Sequence, residues 1–446
     1  MSHEPYPTRL TAWGRYPTVE GLELKSEDLE AASACANLAR GLGRSYGDSS
    51  LPARPQDTVV NTTLADRLLA FDAESGMLRA EAGVSLRQLN EVFLRRGWFV
   101  PVSPGTQYVT LGGMVASDVH GKNHHIDGCF GRHVRALCLR VADGRIIECS
   151  AEQEGELFRA TIGGMGLTGH ILEVEFQMRP IPSPWIWAET ERMAHLDAMI
   201  AGLKQAAGTW PLTVGWVDCL ARGDSLGRGI LMKGHWAQRD EAPSKPPRAK
   251  RHLRVPFLLP NFALCRASMK AFNLLYYWKH FSRRRRGIVH PASFFYPLDV
   301  LDDWNLIYGK RGFTQYQCVL PHAPDNAPAR RFLDLFTRAG GMAFLCVIKD
   351  CGAEGAGMLS FPRPGISIAV DFPIHPRKTQ ALVDRLNELV IAEGGRIYLT
   401  KDTFTRAEHF RAMEPRLEAF GAVRRKWDPQ GRLRSAQSVR LLGDKA

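Results

Sequence analysis

From Leu38 to about Pro180 the apolar positions come in short β-type runs broken by glycine turns: Thr58-Val59-Val60-Asn61, Leu78-Arg79-Ala80-Glu81-Ala82, Ala136-Leu137-Cys138-Leu139-Arg140-Val141, and Ile171 to Met178. One helical period interrupts them. It predicts a helix over Ser85 to Arg96, with Leu86, Leu89, Val92 and Phe93 on its inner face and Ser85 as N-cap. The pattern is α+β and lacks the regular βαβ alternation of a Rossmann domain. Past Pro180-Ile181-Pro182-Ser183-Pro184 the composition shifts, which marks a boundary. The second region predicts strands at Thr213 to Val217 and Phe344 to Ile348, and helices over Asp325 to Ala339 and Arg377 to Glu393.

At 446 residues the chain is larger than one hydrophobic core usually grows, so two or three lobes are expected. Its 45% apolar and 23% charged residues are ordinary for a globular protein. No stretch has the eighteen uninterrupted apolar residues of a membrane span, and the start lacks a signal-peptide pattern, so a cytoplasmic protein is expected. The nine cysteines form no CxxC or zinc-type spacing, which favours reduced thiols and no metal.

Charge changes the picture more. The formal net charge is +12, and the twelve Lys and Arg between Lys245 and Arg286, with no Asp or Glu among them, account for all of it. Apolar Val255 to Leu264 and Phe272-Asn273-Leu274-Leu275-Tyr276-Tyr277-Trp278 sit between these cations. Such a segment suits an anionic bilayer or a solvated loop. Arg283-Arg284-Arg285-Arg286 has no recognised nucleic-acid module beside it, so no nucleic-acid partner is expected.

Three glycine-rich stretches carry the candidate chemistry. Arg40-Gly41-Leu42-Gly43-Arg44-Ser45-Tyr46-Gly47-Asp48 is followed by turn residues and not by a helix, so the dinucleotide fingerprint fails. It is either a nest of backbone N–H groups for a pyrophosphate or a plain turn between strands. Pro104-Gly105-Thr106, Gly112-Gly113 and Asp118-Val119-His120-Gly121-Lys122-Asn123-His124-His125 follow, then Gly163 to Gly169. Three such loops in one α+β region converge more naturally on one flat, phosphorylated ligand than on three separate turns. No carboxylate or cysteine at ligand spacing joins the histidines, so they do not read as a metal site.

These stretches, together with Val102-Ser103-Pro104-Gly105-Thr106, Thr11 to Arg15, Phe295 to Asp299, Gln315-Tyr316-Gln317, Leu359 to Pro362, Val370 to Ile374 and Lys401-Asp402, resemble the vanillyl-alcohol oxidase superfamily over nearly the whole chain. Within it the chain is most similar to the polyprenylphosphoryl-ribose 2′-oxidases of bacterial arabinan precursor synthesis. The resemblance implies a two-subdomain PCMH-type FAD-binding domain over 1–182. It also implies an α+β substrate domain on an antiparallel sheet over 183–395, with a mobile basic insert at 240–290, and a C-terminal segment, 396–446, returning to the FAD domain.

It implies FAD contacts from Arg40, Gly41, Leu42, Gly43, Arg44, Ser45, Tyr46, Gly47, Gly105, Thr110, Leu111, Gly112, Gly113, Ser117, Asp118, Val119, His120, Ile171 and Tyr398. Many relatives tether FAD through a histidine just before the serine of the first loop; that position is Arg44, so non-covalent FAD is expected. Lys401, Tyr46 and His120 match catalytic positions. Gln315, Gln317, Lys349, Ser367, Ala369 and Lys401 match the substrate pocket, where Ser367 and Ala369 stand in place of an asparagine and a cysteine. The implied reaction oxidises the 2′-hydroxyl of a polyprenylphosphoryl ribofuranose to a ketone. A separate NAD(P)H-dependent reductase completes the epimerisation, and the enzyme sits peripherally at the inner face of the plasma membrane. The competing readings are an oxidase of a soluble sugar, alditol or aldonolactone, and a flavin-free lipid- or nucleic-acid-binding protein.

Overall fold

The computed structural model describes residues 4–248 and 252–445. Lys250 and Arg251, two of the twelve clustered cations, lie outside the described residues. Helices and mostly antiparallel sheets make an α+β fold.

The first 180 residues build two main sheets and a two-stranded pair of Trp98–Phe99 with Arg179–Pro180. In one, Tyr6–Thr11 and Thr18–Lys25 pair antiparallel, and Thr58–Asn61 and Leu38–Arg40 add in parallel. In the other, Leu68–Phe71, Met77–Glu81, His170–Gln177, Val134–Arg140 and Ile146–Ser150 lie in that order, antiparallel throughout. The helix Leu86–Phe93 starts where expected, because Ser85 and Gln88 form a reciprocal capping box that satisfies two otherwise orphaned N–H groups. A second helix, Leu111–Ala116, lies inside the glycine cluster that read as loop. Thr110 caps it through Gly113 N–H, and the glycines at 112 and 113 mask its period.

The chain leaves the five-stranded sheet at Gln177 and enters an eight-stranded antiparallel sheet at Ile186. Its order is Arg284–Val289, Ile186–Met193, Gly229–Trp236, Leu212–Val217, Cys346–Cys351, Gly365–Pro373, Phe313–Leu320, Arg396–Ile397. One face is covered by helices. Met199 of Leu196–Ala207 packs on Gly215, while Tyr316 stacks on Phe332 of Ala327–Arg338 and hydrogen-bonds Asn387 of Pro376–Ala392 at 2.8 Å. The strand expected at Phe344 to Ile348 is shifted to Cys346–Cys351. Phe344 instead packs outside the strand, against Phe272 and Tyr308.

Two elements form within the basic insert. Arg284–Val289 is the edge strand of the large sheet, held by Arg284 and Arg286 against Glu189 and Glu191 of the neighbouring strand. The stretch also contains the helix Arg266–Trp278, whose Met269, Asn273 and Tyr277 are buried. The runs of like charge had concealed both elements. Among the described residues no helix is long and apolar enough to cross a membrane.

Residues after Ile397 return to the first lobe. Arg434 pairs with Asp57 at 2.7 Å, and Arg440 with Asp48 at 2.6 Å. One continuous cluster of buried side chains runs from Leu24 to Leu441 through both lobes.

Candidate active site

A cavity of about 540 Å³, within the range of ligand pockets, opens between the glycine loops and the uncovered face of the large sheet. Its first wall is the loop that follows Leu38–Arg40. Arg40 spends its guanidinium on holding that loop, donating to Ser50 O and Oγ and to Thr11 O. Arg44 lies over the Trp13 ring at 3.9 Å and near Tyr108 at 5.0 Å. Burial lowers its proton affinity, an effect opposed by Asp299, and its buried Nε has no partner. Tyr46 N–H donates to Thr400 O at 2.9 Å. At Gly47 a Cβ would sit 1.7 Å from Asp402 O, so only glycine lets the loop and the Lys401 segment touch.

The second wall is Ser103 to Lys122. A Cβ added at Gly105 would meet nothing within 4 Å, which leaves bare backbone facing the cavity. Arg40 to Tyr46, Gly105, Thr110, Gly112, Gly113, Ser117, Val119, His120, Ile171 and Tyr398 all line this space, as do Gln315, Gln317, Lys349, Ala369 and Lys401. Four expected site residues do not. Gly47 is blocked by Asp402, and Leu111 is turned wholly into the core. Asp118, at φ 37°, accepts from Gly131 N–H and from Ser360 behind the wall. Ser367 accepts from Gln317 Nε2 at 3.1 Å and so reaches the cavity only through that amide.

The polar groups facing one another are mostly cationic. Lys401 Nζ lies 3.8 Å above the Tyr46 ring. Gln315 beside it donates to Asp371, a fully buried carboxylate whose other oxygen has no partner. Burial pushes the Lys401 ammonium toward its neutral form and the Asp371 carboxyl toward its protonated form. The two charges support each other, while Lys349 works against that of Lys401.

Gln317 Nε2 lies 2.9 Å from His120 Nε2 and donates to it, so the ring proton sits on Nδ1, which is buried without a partner. Burial, then Lys349, His124 and Lys401, holds His120 well below ordinary histidine basicity and therefore neutral at pH 7. Tyr398 and Phe361 flank its ring at 5.0 and 5.4 Å, and Tyr398 OH donates to Ser117 O at 2.9 Å.

Sequence reasoning missed three residues here. Lys122 donates from Nζ to Phe295 O at 3.0 Å, and burial, followed by Lys349, brings it down to about 7. Asp371 and Asp299 supply the carboxylates. All three lay inside recognised motifs, but nothing local in the chain says which side chain turns inward.

The cavity fits a flavin dinucleotide on three counts: bare backbone at Gly105, unpartnered donors at Arg44 and His120, and no acidic side chain but Asp299 on the lining of the described residues. A profile of the FAD binding domain matches residues 25–150. Decaprenylphosphoryl-beta-D-ribose oxidase of Mycolicibacterium smegmatis is 35% identical, the alignment covering 99% of each chain. A Streptomyces coelicolor protein described as uncharacterized is 34% identical over 80% of this chain and all of its own. Mouse L-gulonolactone oxidase is 32% identical over 26% of each chain.

Proposed function

Because the chain belongs to the family of decaprenylphosphoryl-β-D-ribose oxidases, we propose that it uses FAD to oxidise the 2′-hydroxyl of a polyprenylphosphoryl-β-D-ribofuranose to the ketone, a step toward arabinan precursors. The observation that carries this reading is the meeting of the glycine-lined wall with Lys401, Gln315 and Gln317 across one cavity. FAD, when bound, supplies the hydride acceptor. The chain's own residues position and deprotonate. Arg44 and the bare backbone at Gly105 hold the cofactor, without a covalent link because guanidinium cannot form one.

Lys401 handles the hydroxyl. Its neutral amine takes the hydroxyl proton as the carbon is oxidised, and its ammonium form instead orients the oxygen. Tyr46 fixes Lys401 by lying beneath it, and Gln315 carries the influence of Asp371 to the same spot. His120, kept neutral, presents Nδ1–H as a donor that adds no charge. Gln317, Lys349 and Ala369 form the substrate wall, and Ser367 orients Gln317.

We read the four- and five-stranded sheets as the two subdomains of a PCMH-type domain over 1–182, with 183–395 as substrate domain and 396–446 closing back. The keto sugar passes to a separate NAD(P)H-dependent reductase. The enzyme works peripherally at the anionic inner face of the plasma membrane, a reading supported by the cations and exposed aromatics of 253–286. Anaerobic mixing tests the reaction. Polyprenylphosphoryl ribose bleaches the bound flavin, and free pentoses and aldonolactones do not. The reverse pattern would select a soluble-sugar oxidase, and a colourless protein that FAD cannot reconstitute would sink both.

A further inference from the structure

Register turns the cavity face of the eight-stranded sheet into a polarity gradient. Gln317 stands opposite Ala369, Ala369 opposite Val347, and Val347 opposite Trp216, so these four side chains share one face in a single row. Three strand spacings separate the amide that touches His120 from the indole, roughly 14 Å. In the adjacent row Lys349 pairs with Ser367, and Val214 pairs with Met232. Amide and ammonium groups therefore give way, strand by strand, to valine, methionine and tryptophan.

The apolar end is roofed by the helix Arg266–Trp278. Its Tyr276 packs on Trp216 at 4.6 Å, and its Phe272 packs on Phe344 at 5.5 Å; all four line the cavity. The same helix shows its other side to solvent. Leu275 is 71% exposed and Trp278 50%, and Phe281 just beyond is 86% exposed. Lys270, Lys279, Arg283 and Arg285 are their neighbours in sequence, and of these Arg283 lies 4.0 Å from Glu191. An exposed apolar patch of this kind, framed by cations, matches an anionic bilayer surface.

We propose that the arm bounded by Val214, Trp216, Met232 and Tyr276 takes the isoprenoid units nearest the phosphate, and that the helix Arg266–Trp278 is the portal through which the chain passes to the bilayer. Lys349, on the same strand and face as Val347, stands at the junction where the phosphate falls. The portal lets an insoluble chain stay in contact with apolar side chains while its sugar reaches Lys401. This inference rests on the substrate proposed above.

The test compares anaerobic flavin bleaching by two substrates with the same head group, a polyprenylphosphoryl ribose and a methylphosphoryl ribose, in micelles. The wild-type protein half-saturates at far lower concentrations of the polyprenyl substrate. Met232→Trp fills the arm and Tyr276→Asp places a charge in it. Either variant, provided it binds FAD as the wild type does, raises half-saturation for the polyprenyl substrate at least about tenfold and leaves the methyl substrate unchanged. An unchanged preference for the polyprenyl substrate, or an equal loss for both, overturns the arm. Bleaching of the wild type by neither substrate overturns the substrate reading itself, and the arm with it.

Discussion

Lys401 is the residue on which the proposed chemistry turns. It lies on the Tyr46 ring and is buried among Lys349, Asp371 and Gln315. Lys401→Met removes the amine while keeping most of its volume. It should leave the protein yellow and lower the bleaching rate by about 10²–10⁴-fold, the usual worth of a positioned proton acceptor; near-normal bleaching would take Lys401 out of the reaction. Arg44 predicts that acid precipitation leaves the flavin in the supernatant, and a yellow pellet would contradict that. Asp118 gives a pH signature. Burial, against hydrogen bonds from Ser360 and Gly131, raises its carboxyl from 3.8 to about 6. The folded state then binds the extra proton between those values, so this group favours folding most below about pH 4 and loses that contribution as pH rises through about 6. Asparagine keeps the acceptor and tolerates φ 37°. The thermal midpoint of Asp118→Asn relative to wild type should therefore climb between about pH 4 and pH 7; a flat difference would mean Asp118 is not the titrating group.

Among the elements, the short helix Ala436–Leu442 does more than its length suggests. Its Arg440 donates to Asp48 at the end of the first glycine stretch at 2.6 Å and pairs with Asp402, the neighbour of Lys401, at 2.9 Å. One guanidinium thus ties the cofactor wall to the lysine segment. Arg440→Met would leave two buried carboxylates unpaired and should cost about 3–5 kcal/mol in denaturant unfolding, with faster FAD release. Arg440→Lys should recover part of the stability; a neutral effect of both would show the pair to be dispensable. This clamp was invisible in the sequence, because Arg440 and Asp48 are 392 positions apart. The elements that form a short β-branched run between turns or carry a local cap, such as Thr58–Asn61 and Leu86–Phe93, were legible. Cys346–Cys351 was displaced because apolar Phe344 and Leu345 extend the run ahead of the strand's first paired residue, Cys346. The wall residues could be assigned to motifs, but Asp118, Leu111 and Ser367 show that motif membership does not say which way a side chain points.

For the whole molecule, charge is less free than the count suggests. Arg283, Arg284 and Arg286 of the arginine run are paired with Glu189 and Glu191, which leaves the proposed lipid-facing role to the other cations near exposed Leu275, Trp278 and Phe281. Sedimentation with phosphatidylglycerol vesicles should exceed that with phosphatidylcholine vesicles and weaken with salt. Leu275→Ser with Phe281→Ser should lower it by at least about fivefold. Equal binding to both lipids would remove the electrostatic contribution.

The clamp between Asp48, Asp402 and Arg440 also has a meaning in time. During translation the glycine loops emerge early, but the groups that fasten them, from Thr400 behind Tyr46 to Arg440 beside Asp48, emerge hundreds of residues later. Until then the first loop lacks the backbone and ionic partners that fix its shape. Flavin capture should therefore wait until synthesis has passed residue 440, and a chain cut short before Arg440 should hold FAD more weakly than the full chain.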